Sequence, residues 1–282
     1  MICSMDPEYS MPGGQGMDGL DVLVNKARSA PAYFSLKGKR ALVVGGNKGL
    51  GQAMALALAA AGADVCVAGR GPDGLPETAA AIRDLGRRGA CFAVDVTVES
   101  RVMDLFSWMD AELGGVDILV NSQGTVHLEK AVDFEEAEWD KVMDVNLKSV
   151  FLCCKHAGRR MLALKKGKII NISSVRGFQG RAQDLAYAPS KGAVHQLTRS
   201  LAIEWGPQGV NCNAIAPVFT MTAISASQLK DPVKRDWVLS RIPMKRLGEL
   251  EDLFGPVIFL ASEASNFVNG HVLSVDGGWL GA

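Results

Sequence analysis

From residue 39 onward, short apolar runs alternate with amphipathic stretches. Arg40-Ala-Leu-Val-Val44 reads as a strand and Gly49 to Ala61 as a helix. The alternation continues with a strand over Asp64 to Ala68, a helix over Leu75 to Arg87, a strand over Ala90 to Val94 and a helix over Glu99 to Leu113. A strand over Asp117 to Val120 then leads into one long helical region, about Glu135 to Leu164. Next come a strand over Lys168 to Ile172, a helix over Tyr187 to Trp205 and a strand over Gly209 to Ile215. An irregular helical insert to about Arg241, a helix over Glu249 to Ala261 and a strand over His271 to Val275 complete the pattern. Continuous apolar strands are those covered on both faces. With right-handed crossovers they predict an α/β fold: a single doubly wound, Rossmann-type domain whose seven-stranded parallel sheet carries helices on both faces.

Residues 1–35 differ from the rest. Met1 to Gly16 is rich in Met, Gly, Pro and Ser and has no apolar core, while Leu20, Leu23, Val24 and Ala27 are spaced as a short amphipathic helix capped by Asp18 and stopped before Pro31. The division expected is therefore an N-terminal arm over 1–35, partly disordered, and the Rossmann-type domain over 36–282. The segment from Pro217 to Leu247, following the sixth strand and holding Trp237 and Leu239 among polar residues, is expected to act as a lid.

Composition narrows the function. Thirty Lys+Arg balance thirty Asp+Glu, which argues against holding nucleic acid or a membrane surface by bulk charge. No apolar run approaches a membrane span, and there is neither the basic start nor the apolar stretch of a secretory signal. Six scattered cysteines without a CxxC pair, and four separated histidines, point to buried thiols in a reducing cytoplasm and to no metal site.

The first strand runs into Gly45-Gly-Asn-Lys-Gly49-Leu-Gly51 and then a helix. Such a turn brings backbone N–H groups and a helix N-terminus close to a pyrophosphate. At the end of the second strand an acidic residue would bond a ribose 2′-hydroxyl, yet here the strand ends Val67-Ala-Gly69-Arg70. Arg70 and Lys48 together favour a 2′-phosphate, hence NADP(H). Tyr187-Ala-Pro-Ser-Lys191 opens a helix and puts Tyr187 and Lys191 on one face at i and i+4. An ammonium beside a phenol lowers its pKa, suiting Tyr187 to general acid/base work. Ser174, thirteen residues upstream, ends a strand and suits a hydrogen bond to a substrate oxygen.

Together these motifs resemble the short-chain dehydrogenase/reductase family from about Leu36 to Ala282, with Asp95-Val96, Asn121-Ser-Gln-Gly124, Asn146 and Asn213-Ala-Ile-Ala-Pro217 in order. The resemblance implies a catalytic tetrad of Ser174, Tyr187, Lys191 and Asn146. Tyr187 would protonate the substrate oxygen, Lys191 would bind the nicotinamide ribose, and Asn146 would hold a relay water. It also implies cofactor contacts from Gly45, Asn47, Lys48, Gly49, Leu50, Gly51, Arg70, Asp95, Val96, Asn121, Gln123, Gly124, Pro217, Thr220 and Thr222. Three positions depart from the family pattern: Val44 where Thr is usual, Ser122-Gln123 for Asn-Ala, and Val218 for Gly.

Within the family the chain looks most like members of the gluconate 5-dehydrogenase and 2-deoxy-3-keto-gluconate dehydrogenase type. That implies an NADP(H)-dependent oxidoreductase interconverting a carbonyl and a secondary alcohol on a small sugar acid. Candidate substrate contacts are Ser174, Arg176, Gln179 and His127, with Arg176 offering a fork for a carboxylate. A 3-oxoacyl-carrier-protein reductase has the same architecture and is the alternative. A nucleotide-binding regulator without catalysis would be expected to lack Tyr187 or Lys191. Resemblance, the apolar helix faces near Val150 to Leu164 and Ala193 to Trp205, and Trp279-Leu280 lead to an expected homotetramer.

Overall fold

Every strand expected from the apolar runs forms, within a residue or two at each end. The computed structural model describes residues 19–71, 73–221, 229 and 231–282. Helix α1 (Gly19–Arg28) and a 3-10 turn (Ala30–Phe34) precede β1 (Arg40–Val44). There follow α2 (Gly49–Ala60), β2 (Asp64–Gly69), α3 (Leu75–Asp84), β3 (Gly89–Ala93), α4 (Glu99–Leu113) and β4 (Ile118–Asn121). Next are α5 (Glu136–Met143), α6 (Ser149–Ala163), β5 (Gly167–Ile172), α7 (Tyr187–Trp205) and β6 (Val210–Pro217). Helices α8 (Pro232–Arg241) and α9 (Phe254–Ala261) and strand β7 (Val272–Val275) complete the order.

All seven strands run parallel in the order β3-β2-β1-β4-β5-β6-β7. The order reverses between β1 and β4, so a crevice opens at their carboxyl ends. Alternation along β1 separates two cores: Leu42 and Val44 pack with residues of α4, α6 and α7, while Ala41 and Val43 pack with residues of α2, α3 and α9. A third, smaller cluster joins Val175, Val218, Leu229, Val238, Ile242 and Trp279 beyond the sheet edge. Trp279 is thus buried by its own chain, at 1% exposure, rather than held for a neighbouring subunit.

Three local differences have physical causes. The helical region from Glu135 to Leu164 is broken by a π turn over Asp144–Lys148. Helix α3 stops at Asp84, short of Arg87, because Gly86 turns left-handed at φ 75°. The stretch expected as one helix from Glu249 opens as a 3-10 turn, Leu250–Leu253, with Glu249 and Asp252 as a reciprocal capping box. Helix α1 buries none of its residues, and its expected cap, Asp18, lies outside the described residues with the arm before it.

Glycine sets the close approach of α6 to α7. A Cβ at Gly158 would stand 2.5 Å from the Trp205 ring. A glycine-to-alanine change inside a helix normally stabilises by roughly 1 kcal/mol. Here overpacking dominates, and Gly158→Ala is expected to lower stability by about 1–3 kcal/mol in chemical denaturation.

Candidate active site

The glycine loop is tied down by backbone, not by a hydroxyl. Val44 is buried in the sheet core, and Gly45 N and Gly46 N donate to Ala68 O at 2.7 and 3.3 Å. Those bonds do the tying that a threonine at position 44 would share. A Cβ at Gly51 would lie 2.1 Å from Gly45 O, so helix α2 starts in contact with the loop. Asn47 Nδ2 donates to Asp73 O at 3.2 Å. Leu50 packs against the core beneath, whereas Lys48 and Arg70 are exposed at the ends of β1 and β2. Asp95 accepts from Thr97 N and Oγ1 at 2.9 and 2.7 Å; those bonds, helped by nearby Arg70, hold its carboxyl below the usual range. Val96 is buried beside it.

On the other side of the crevice, Gly124 leaves room above two polar atoms. A Cβ there would sit 3.6 Å from Asn146 Oδ1 and 3.7 Å from Lys191 Nζ. Asn121 is buried at the base, its Nδ2 donating to Asn171 Oδ1 at 2.9 Å. Gln123 Nε2 donates to Ser149 Oγ at 2.9 Å, while its Oε1 is buried without a partner among the described residues. At the end of β6, Pro217 is buried, Val218 fills the third cluster, and Thr220 bridges to Gly248. The side chain at 218 is therefore structural fill where glycine is usual. Thr222 lies outside the described residues, as do most of the residues between it and α8. Open glycine backbone, exposed cations at Lys48 and Arg70, and a Lys191 ammonium with N–H groups to spare fit a phosphorylated dinucleotide.

The π turn decides where Asn146 points. Its Oδ1 accepts from Thr125 N at 2.8 Å, and Nδ2 donates to Thr125 O at 2.9 Å and to Ser190 Oγ at 3.0 Å. Both amide hydrogens are thus used to hold the loop after β4 against α7. Ser190, the partner, was not singled out by sequence; it sits inside the Tyr-x-x-x-Lys interval.

Ser174 follows β5 in extended backbone and opens the turn Val175–Gly177, its Oγ accepting from Arg176 N at 3.1 Å. Its hydroxyl also stands near enough to the Tyr187 phenol to favour the phenolate. Lys191 Nζ donates to Ile172 O at 2.8 Å and lies 5.7 Å from the Tyr187 ring centroid. Burial pushes the Lys191 ammonium down to about 8. The expected lowering of the phenol by Lys191 is not found. Burial raises the Tyr187 pKa above 10, and the effects opposing it are the Ser174 hydrogen bond and the Arg176 charge. Desolvation penalises phenolate and ammonium alike, so placing both on one buried face does not favour the phenolate.

The candidate substrate contacts separate clearly. His127 Nδ1 lies 3.5 Å from Glu138 Oε2 and its ring edge meets Phe134, so a carboxylate already stands at that position. Gln179 Oε1 accepts from Trp279 Nε1 at 2.9 Å and so anchors the indole. Arg176 is only 9% exposed, stacks 5.5 Å from the Trp279 ring centroid, and has Nη2 buried without a partner among the described residues. Asp184 is a further residue that sequence reasoning missed: Ala188 N, in the first turn of α7, donates to its Oδ1 at 2.9 Å.

Behind the site, Ser173 Oγ lies 3.1 Å from Lys191 O and 2.7 Å from His195 Nε2, within hydrogen-bond reach of both. Burial, with Arg199 and Lys191 nearby, pushes His195 down to about 4 from 6.5. Unfolding exposes an imidazole that takes up protons more readily, so this site costs stability as pH falls from about 6.5 to about 4 and nothing above. In urea titrations across that range, His195→Gln is expected to lose stability less steeply with acid than the parent. Burial makes three of the cysteines inert: Cys154 is pushed up to about 12, and Cys153 and Cys212 are also raised.

Comparison with known proteins agrees with this geometry. Residues 44–280 match the family model described as Enoyl-(Acyl carrier protein) reductase. The chain is 45% identical over 247 residues to 2-dehydro-3-deoxy-D-gluconate 5-dehydrogenase of Bacillus subtilis, covering 88% of this chain and 96% of that protein. It is 36% identical over 250 residues to gluconate 5-dehydrogenase of Gluconobacter oxydans, covering 89% and 98%. Among solved structures, a gluconate 5-dehydrogenase from Burkholderia cenocepacia in complex with NADP and tartrate superposes with a TM-score of 0.86 at 37% identity, covering 89% of this chain and 98% of that one. With the glycine loop, the seven-stranded parallel sheet and the Ser174–Tyr187–Lys191 cluster in place, the chain belongs to the short-chain dehydrogenase/reductase family and is an oxidoreductase.

Proposed function

We propose that this enzyme uses NADP(H) to interconvert a ketone and a secondary alcohol on a small sugar acid. The observation that carries the substrate class is Arg176: a buried guanidinium, two residues past Ser174, with an N–H left over. A charge held out of water without a counter-ion is costly, and a substrate carboxylate supplies the partner through charge-assisted bonds. The curated relatives named for gluconate and 2-dehydro-3-deoxy-D-gluconate support the same class.

When bound, the dinucleotide supplies or accepts the hydride. The chain's own residues do the rest. Ser174 and Tyr187 hold the substrate oxygen between hydroxyl and phenol, and the phenol passes its proton to that oxygen in the reducing direction. Burial holds the Tyr187 phenol above its usual pKa, which favours the protonated form that donates. Lys191, beside Gly124 and the Tyr187 ring, would bind the nicotinamide ribose and keeps an ammonium beside the phenol. Asn146 fixes the loop that faces both.

A carrier-protein reductase would need a basic entrance. Two cations near the end of α6 do not form one: Arg160 is paired with Asp110 on α4, and Lys166 stands by Lys39 at the amino edge of the sheet, away from the crevice. Two further parts of the proposal are a cytoplasmic homotetramer and contacts to cofactor from the residues assigned above. Exposed Phe151 on α6 and Ile203 on α7, at 44% and 78%, support helix faces that a second subunit covers. Light scattering that gave a 30 kDa particle would contradict the tetramer.

Two variants test the chemistry. Tyr187→Phe is expected to cut kcat by roughly 10²–10⁴ while NADPH binding by fluorescence titration changes little. Arg70→Asp is expected to weaken NADP(H) binding at least tenfold, about 1.4 kcal/mol, relative to NAD(H); equal dissociation constants in the parent would overturn the cofactor assignment.

A further inference from the structure

Trp279 carries two guanidinium groups, not one. Arg176 Cζ lies 5.5 Å and Arg241 Cζ 5.3 Å from its ring centroid. They arrive from separate parts of the chain, Arg176 from the turn after β5 and Arg241 from the last residue of α8. Arg241 also lies 5.7 Å from the Trp237 ring, which meets Trp279 edge-on at 5.9 Å. The indole itself is fixed by the Gln179 hydrogen bond and by Phe219.

Like charges collected around one ring repel. Arg181 and Arg241 both act against the charge on Arg176, and burial does so more strongly. Asp184 is the acid that offsets them, but it is already accepting from Ala188 N. Among the described residues neither Arg176 nor Arg241 forms an ion pair. The arrangement is cation-rich, partly desolvated, and short of one anion.

We propose that Arg176 and Arg241, both seated on Trp279, together hold the carboxylate of the substrate, with Trp279 as the positioning residue that sets their relation. The inference rests on the sugar-acid reading above and deepens it: the anion is gripped from the sheet edge and from α8 at once. Arg176, buried and next to Ser174, fixes where the carboxylate stands relative to the reacting carbon. Arg241, exposed, adds attraction and ties α8 to the bound acid. Exclusion of neutral ketoses follows, because they leave the buried guanidinium unpaired.

The test compares Arg241→Met, which keeps an apolar stem on the two indoles, with Arg241→Lys, which keeps the charge. Two substrates are used, 5-keto-D-gluconate and a neutral ketose of the same length, and D-gluconate binding to the NADP-loaded enzyme is measured by calorimetry. Arg241→Met is expected to raise KM for the keto acid about tenfold more than for the ketose, with Arg241→Lys recovering part of the loss. Gluconate binding should weaken in parallel. In the double variant with Arg176→Met, the losses should fall short of the product of the single effects, since one anion is shared. Equal changes for acid and ketose, or unchanged gluconate binding in Arg241→Met, would overturn the two-arginine seat. A parent enzyme that turns over ketose as well as keto acid, yet binds gluconate through both arginines, would instead overturn the sugar-acid reading and leave the seat standing.

Discussion

The site depends on how the first two turns of α7 lock onto the end of β5. Lys191 Nζ donates to Ile172 O, and Ser173 Oγ donates back to Lys191 O. These two bonds fix strand end and helix start relative to each other, and with them Ser174, Tyr187 and the turn that carries Arg176. Everything on the strand side of the crevice is then a rigid body. The helix side is closed by Asn146, whose amide reaches both Thr125 and Ser190. Few of these contacts are apolar; a polar frame of this kind is directional, and direction is what proton transfer requires.

Burial sets the electrostatics of that frame. Lys191, Tyr187 and His195 are each displaced toward the neutral form by desolvation. Arg176 alone resists, because a guanidinium stays charged at any working pH. The field felt by the phenol therefore comes more from Arg176 than from the lysine a turn away. A ligand that neutralises Arg176 also removes part of what opposes the raised phenol pKa, so the anion and the proton donor are coupled through one side chain.

Much of this was legible in the sequence. Short apolar runs marked the strands, since a strand buried on both faces has few polar positions to confuse the pattern, the buried asparagines Asn121, Asn171 and Asn213 being the exceptions. The glycine loop and the Tyr187–Lys191 spacing located the crevice. What the pattern concealed were features set by three-dimensional proximity. The π turn at Asp144–Lys148 has the composition of plain helix, and only the pull of Thr125 and Ser190 on Asn146 distinguishes it. Trp279 lies 100 residues from Gln179 and still farther from Arg176, so no local spacing could join them. The sign of the Tyr187 shift was missed for a related reason: neighbourhood along a helix gives distance between charges but not the depth at which they sit.

The π turn also bears on how this helix came to have its length. One residue more than a regular helix needs is accommodated between α5 and α6. Removing a residue would repair the helix and rotate all that precedes the cut by about 100°, turning Asn146 away from Thr125. A redesign that shortened this stretch to regularise the helix would dismantle the bridge that Asn146 makes between the loop after β4 and α7.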